Sequence, residues 1–135
     1  MAQLDRYEEI LKRRKKIIVR YDAAFKPLGV TVLSHYADEY QSSGHLYITR
    51  IPGIYLEQRQ EIIVKMAEAG IATNVHYKPL PMMTAYKKLG FDIKDYPNAY
   101  RQFENEITLP LHTRLTEVEM EYVIEKYCGF VKECV

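Results

Sequence analysis

The sequence predicts an α+β fold: a small, largely antiparallel sheet covered by helices and preceded by a long N-terminal helix. Three observations carry that expectation. Leu4, Tyr7, Leu11, Ile18, Tyr21 and Phe25 recur at alternating three- and four-residue steps, which is the spacing of one helix face. The segment HLYITRI at 45–51 alternates with a period of two instead, as a half-buried strand does. Thr116 with Glu119 three residues on forms a capping box that opens another apolar-striped stretch near the C-terminus.

Taken in order, residues 2–26 form the first helix, with Arg14 filling the one missing apolar position and Ile10, Ile17 and Ala24 widening the stripe; Pro27 and Gly29 stop it. No Ser, Thr, Asp or Asn stands before Ala2 as an N-cap, so the amphipathic pattern is already running where the chain begins. The expectation is that a segment upstream belongs with it. Residues 30–33 form a short strand and 38–44 a polar loop. In the strand at 45–51, Tyr47, Thr49 and Ile51 share one face and Leu46 and Ile48 the other; Pro52 and Gly53 end it. Helix 57–69 buries Ile62, Ile63, Met66 and Ala67, with Gly70 as its C-cap glycine. Residues 71–77 form another strand, with Ile71, Thr73, Val75 and Tyr77 on one face and Ala72, Asn74 and His76 on the other. Residues 78–97 are irregular with short helical turns, 98–105 a short helix and 106–109 a strand. The last helix follows Thr116, with Met120, Val123, Ile124, Tyr127 and Val131 on its apolar face. Together these make helices packed on a sheet within a single domain, 1–135.

Composition removes several classes of function. With 19 Lys plus Arg against 18 Asp plus Glu, the formal charge is +1, so no overall field draws in nucleic acid or anionic lipid. No uncharged stretch approaches the ~18 residues of a membrane span, and the N-terminal residues form a charged helix rather than a signal peptide. The expected compartment is the cytoplasm, with no nucleic-acid and no membrane partner. Cys128 and Cys134 read as free thiols. The basic run at 12–16 points all round its helix and reads as a solvated face, with Arg14 at an interface. His35, His45, His76 and His112 lack the pair spacing of a zinc site, no HExxH or CxxC is present, and the six glycines are scattered singly, so neither a metal centre nor a phosphate cradle is encoded. Twelve Tyr against four Phe and no Trp hint at a polar cleft or interface, where one end of a ring stays wet.

The segment ATNVHYKPLP at 72–81 is the most informative. A strand presenting Asn74 and His76 and turning through Tyr77 and Lys78 delivers an amide, an imidazole and an ammonium to one loop, and such loops are where binding residues gather. Taken alone, His76 reads as a satisfied structural histidine rather than a catalytic one, and the spacing does not overturn that.

These segments, in this order, resemble the DegT/DnrJ/EryC1/StrS family of pyridoxal-phosphate-dependent sugar aminotransferases. AQLDRYEEILKRRKKIIVRYDAAF is similar to its interdomain helix, GHLYITRI to its HLY strand, RQEIIVKMAEAGIATNVHYKPLP to its helix–strand unit ending in an HY-x-PL pattern, and ITLPLHTRLTEVEMEYVI to its closing turn and last helix. The family often carries His where this chain has Pro81, which leaves position 81 out of the candidate site. The resemblance implies the small C-terminal domain of a fold-type I aminotransferase, with the large pyridoxal-phosphate-binding domain absent from the chain. That chemistry needs a Schiff-base lysine, an acidic partner for the pyridinium nitrogen and a phosphate cup, all upstream in the family. The chain alone is therefore expected to bind no cofactor and to be inactive, while pyridoxal phosphate is implied for the complete enzyme of polysaccharide biosynthesis. Asn74, His76, Tyr77 and Lys78 would face the cleft and hold a nucleotide-linked keto sugar. The expected partners are that nucleotide sugar, the missing N-terminal domain and, through the first helix, a second copy of the chain. The alternative is a free-standing binding or dimerisation module that has lost catalysis, and the upstream reading frame separates the two.

Overall fold

A computed structural model describes residues 4–134. Helix α1, Tyr7–Phe25, follows a short 3₁₀ turn at Leu4–Arg6, and the expectation about an N-cap before Ala2 falls outside the described residues. Only the second half of α1 is buried, through Ile17, Ile18, Tyr21 and Phe25. Leu4 in the 3₁₀ turn is 71% exposed and Tyr7 at the start of α1 45%, and Leu11 is half-buried.

Strands β1 (Thr31–Val32), β4 (Tyr47–Arg50) and β5 (Glu106–Leu109) form one antiparallel sheet in the order β1-β4-β5. Thr49 faces Val32 on one side and Ile107 on the other. Tyr47, Thr49 and Ile51 point into the core and Ile48 is half-buried, as the alternation requires. A two-residue-per-strand ribbon pairs β2 (Tyr36–Ala37) with β3 (Tyr40–Gln41), and its second strand falls inside the segment read as a loop at 38–44. Two rungs are too short to leave a periodic signature.

Helix α2 (Leu56–Glu68) buries Ile62 and Met66, whereas Ala67, expected inside, is exposed. Two short helices, α3 (Thr84–Lys88) and α4 (Pro97–Phe103), punctuate an otherwise irregular arm, and α5 (Glu117–Cys134) closes the fold. The capping box at its start is formed: the Glu119 carboxylate accepts from the Thr116 backbone N–H at 2.8 Å and the Thr116 hydroxyl accepts from the Glu119 backbone N–H at 3.2 Å.

The helices meet the sheet in one apolar cluster that includes Tyr21, Phe25, Tyr47, Ile107 and Tyr127. Rings 21 and 47, and 25 and 127, cross edge-on at 4.9 and 5.0 Å. The sequence hint that tyrosine marks a wet cleft is corrected here for three rings, because Tyr21, Tyr47 and Tyr127 are fully buried. Their hydroxyls donate to the Pro110 carbonyl at 3.0 Å, to Asp22 Oδ1 at 2.7 Å and to Thr49 Oγ1 at 2.7 Å, and Thr49 in turn donates to the Ile107 carbonyl at 2.6 Å. Polar ring ends are thus satisfied inside the fold. Burial raises the phenol pKa of all three.

The basic run on α1 is largely used within the chain. Arg13 donates to the Leu115 carbonyl, Lys16 pairs with Glu117, and Arg20 grips Glu121 through two bonds of 2.6 Å, fastening α1 to α5 and the turn before it. The interface expected for Arg14 lies within the chain: it donates to the Ser43 carbonyl at 3.1 Å, and its stem packs on Gly44. Gly44 has φ +60°, and a Cβ there would lie 2.9 Å from Ile18 Cδ1, so the backbone conformation and the packing both call for glycine.

Candidate functional site

The candidate loop starts at the end of α2. Gly70 takes a left-handed conformation (φ +75°), its N–H bonds to the Ala67 carbonyl and that of Ile71 to the Met66 carbonyl, both at 2.9 Å. This Schellman-type cap reverses the chain, and buried Ile71 pins the segment that then runs along the free edge of β5. The strand expected over 71–77 is not formed there. A single bridge remains, with Asn74 N–H to Thr108 O at 3.1 Å and Thr108 N–H to Asn74 O at 2.8 Å.

Side chains divert the donors that a strand would have sent to the ladder. The Val75 N–H bonds to Asn74 Oδ1 at 2.8 Å, and the His76 N–H points at the Glu106 carboxylate, 3.0 and 3.1 Å from its two oxygens. Local side-chain acceptors compete with secondary structure in this way. The two-faced pattern is lost with the strand: Val75 and His76 are both half-buried, while Asn74, Tyr77 and Lys78 are exposed.

Behind the loop stands Glu106, 0% exposed at the start of β5. Besides the His76 N–H it accepts the Thr108 hydroxyl at 2.8 Å, and that hydroxyl lies 2.9 Å from His76 Nδ1. Buried Arg59 sits with its guanidinium 4.8 Å above the Phe103 ring. Burial lowers the Arg59 pKa, and the opposite charge of Glu106 raises it in part. A carboxylate, a hydroxyl and an imidazole thus form one connected network, with a buried cation near its inner end.

Thr108, Asn74 and His76 also line a shallow cavity of about 260 Å³ together with His45 and Thr73. The Asn74 side-chain oxygen Oδ1 accepts from the Val75 N–H, so the side-chain N–H₂ is the part left to donate outward. Tyr77 is 72% exposed, with its ring edge-on to His76 at 4.6 Å. The arrangement offers donors and an acceptor to a polyhydroxylated ligand. Of the four positions that the sequence singles out, Asn74, Tyr77 and Lys78 are exposed and His76 is half-buried, and the sequence reading did not name Glu106, Thr108 or Arg59 beside them. The available signal was the alternation at 106–109, which puts a carboxylate and a hydroxyl on one strand face and Ile107 and Leu109 on the other.

A Schiff-base site does not fit these residues. Every lysine is at least partly exposed, and Lys65 and Lys126 have pKa values raised by hydrogen bonds to Glu61 and Glu133, and to Glu125, the reverse of what an amine nucleophile needs. Among the described residues no group of three or more His, Cys, Asp or Glu is placed to hold a metal ion, and no helix is long and apolar enough to cross a membrane. Cys128 and Cys134 are half-buried free thiols whose pKa burial raises.

Residues 1–127 match the model of the DegT/DnrJ/EryC1/StrS aminotransferase family. The spore coat polysaccharide biosynthesis protein SpsC of Bacillus subtilis is 29% identical over 98% of this chain and 35% of its own length. A Campylobacter jejuni UDP-4-amino-4,6-dideoxy-N-acetyl-beta-L-altrosamine transaminase is 32% identical over 94% of this chain and 36% of its own. Among solved structures, a Streptococcus pneumoniae protein assigned as a sugar aminotransferase superposes in its apo form with a TM-score of 0.95 at 53% identity, covering 98% of this chain and 33% of that one. It has also been solved in forms carrying PLP and PMP. The chain spans about a third of the length of each of these relatives.

Proposed function

The chain belongs to the DegT/DnrJ/EryC1/StrS aminotransferase family, and from that premise we propose that it is the C-terminal domain of a sugar aminotransferase, holding a nucleotide-activated keto sugar while a separate lysine-bearing domain supplies the pyridoxal phosphate. The observation that carries this reading is the division of labour in the loop at 74–78. Its backbone is tied to β5 through Thr108 and Glu106, yet the side chains of Asn74, Tyr77 and Lys78 remain exposed and His76 half-exposed. An anchored backbone with outward polar side chains is how a rigid scaffold presents binding residues. In the proposed role the Asn74 amide and His76 imidazole hydrogen-bond sugar hydroxyls, the Tyr77 ring covers an apolar face, and the Lys78 ammonium faces the nucleotide's phosphate charge.

The exposed Leu4 in the 3₁₀ turn and Tyr7 at the start of α1 form the surface on which the lysine-bearing domain packs in this account. An apolar strip of this kind marks an interface, and a second copy of the chain is the competing occupant. Reconstitution tests the reading. The chain alone, treated with pyridoxal phosphate and borohydride, is expected to show no stoichiometric adduct at one lysine; joined to a lysine-bearing domain, it is expected to support amino transfer from glutamate to a nucleotide-linked 4-keto sugar. Transamination by the chain alone, or no rescue by the added domain, overturns it.

A further inference from the structure

The hydrogen-bond count around Thr108 fixes more than the position of the loop. Its hydroxyl owns one hydrogen. Both oxygens of buried Glu106 accept from the His76 backbone N–H, and Oε1 also accepts from the Thr108 hydroxyl. The 2.8 Å contact between Thr108 Oγ1 and Glu106 Oε1 therefore uses that hydrogen. At the 2.9 Å contact with His76 Nδ1 the hydroxyl oxygen is left as acceptor, so Nδ1 must carry the proton.

We propose that Glu106 and Thr108 are positioning residues that hold His76 as the Nδ1–H tautomer, so that Nε2 stands in the cavity beside Asn74 as a hydrogen-bond acceptor for a donor on the ligand, a hydroxyl of the nucleotide-linked sugar. The sugar as occupant rests on the reading given under Proposed function; the tautomer does not. Three features of the structure support the assignment. The same carboxylate that orients the hydroxyl also receives the His76 backbone N–H through both oxygens, so the ring's main chain and its Nδ1 are set by one group. Among the described residues Nε2 makes no hydrogen bond. The adjacent Asn74 has its oxygen occupied by the Val75 N–H and keeps its N–H₂ for the ligand. The cavity is therefore lined by one acceptor and one donor, the pairing that a vicinal diol or hydroxyl-amide edge of a sugar satisfies, since each such hydroxyl both donates and accepts. A free imidazole has no such fixed choice, and this second layer of partners sets it as an outer shell sets a metal-bound histidine.

The tautomer is read directly from long-range ¹H–¹⁵N correlations of the neutral His76 ring in the 135-residue chain without ligand. The Nδ1–H pattern is expected in the wild type and in Thr108→Ser, which keeps the hydroxyl, and a shift toward the Nε2–H form in Thr108→Val. A wild-type ring in the Nε2–H form, or an unchanged ring in Thr108→Val, overturns the proposal. If Thr108→Val does not fold, the wild-type and Thr108→Ser spectra still decide it. Substrate contact is scored separately by the KM for nucleotide sugar of His76→Ala in a complete two-domain enzyme. An Nδ1–H ring with an unchanged KM upholds the relay and removes the sugar from the site, whereas an Nε2–H ring with a raised KM removes the relay and keeps the sugar.

Discussion

On the core side of β5, Ile107 and Leu109 join the cluster built on Tyr21, Phe25, Tyr47 and Tyr127, where each buried phenol ends on a partner inside the chain. On the edge side, Glu106 and Thr108 are equally buried, but their hydrogen bonds lead outward to the half-exposed ring of His76. Both faces therefore carry buried polar groups with partners, as a low-dielectric interior demands. The difference lies in where the chain of bonds stops. The core network closes on carbonyls, a carboxylate and a hydroxyl and fixes packing, whereas the edge network ends at an imidazole and fixes what the surface presents. Mutations on the core side should therefore change stability alone, and mutations at the outer end of the edge network should change binding with little cost in stability.

The largest effect is expected from Phe25→Ala, which empties a fully buried position touching three of the core rings. A loss of about 4 kcal/mol follows from the lost transfer energy and the cavity, and urea unfolding measures it. A loss under about 1 kcal/mol would show that the cluster does not hold the fold. Glu106→Ala comes next, at about 3 kcal/mol, because it strands the His76 N–H and the Thr108 hydroxyl and leaves Arg59 buried without its opposite charge. If its cost were near zero, the edge network would not be holding the loop. Thr49→Val should lose about 2 kcal/mol by leaving the Tyr127 hydroxyl without its acceptor, with no effect on ligand binding. Any change in nucleotide-sugar affinity for that variant would blur the distinction between the two faces.

A smaller, pH-dependent effect belongs to His35, buried and stacked on Tyr47 at 6.0 Å. Its Nδ1 meets Ser42 Oγ at 3.1 Å and its Nε2 has no partner among the described residues. Burial lowers its pKa below the ordinary 6.5, with the charge of Asp22 opposing in part. The unfolded ring thus takes up its proton first, so stability is full above that value and falls as pH drops through it toward the lowered folded value. His35→Gln should flatten that slope in a thermal-melt series, and an equally steep slope in the variant would assign it to other groups.

How much of this was legible in the sequence differs between the same two regions. The core helices were readable because a packed helix face must repeat at 3.6 residues: Ile17, Ile18, Tyr21 and Phe25 on α1 and Met120, Val123, Ile124, Tyr127 and Val131 on α5 are the residues found buried. The candidate loop was readable as composition, since Asn74, His76, Tyr77 and Lys78 stand together, but its conformation was not. The apparent alternation at 71–77 suggested a strand, and side-chain acceptors from Asn74 and Glu106 took the donors such a strand needs. Glu106 lies 30 residues from His76, a separation over which a single sequence carries no pattern. The ribbon β2–β3 escaped for a different reason, since two residues per strand do not complete a period.

The most direct test of the account is His76→Ala, measured as stability in this chain and as turnover in a complete two-domain enzyme. Truncating the ring removes one bond to a Thr108 hydroxyl that keeps its other partner, Glu106. The account expects a loss under about 1 kcal/mol with a clear fall in turnover of the nucleotide-linked keto sugar. A loss of about 2 to 3 kcal/mol with turnover unchanged would contradict it, and would make His76 a structural residue whose ring belongs to the fold rather than to the ligand.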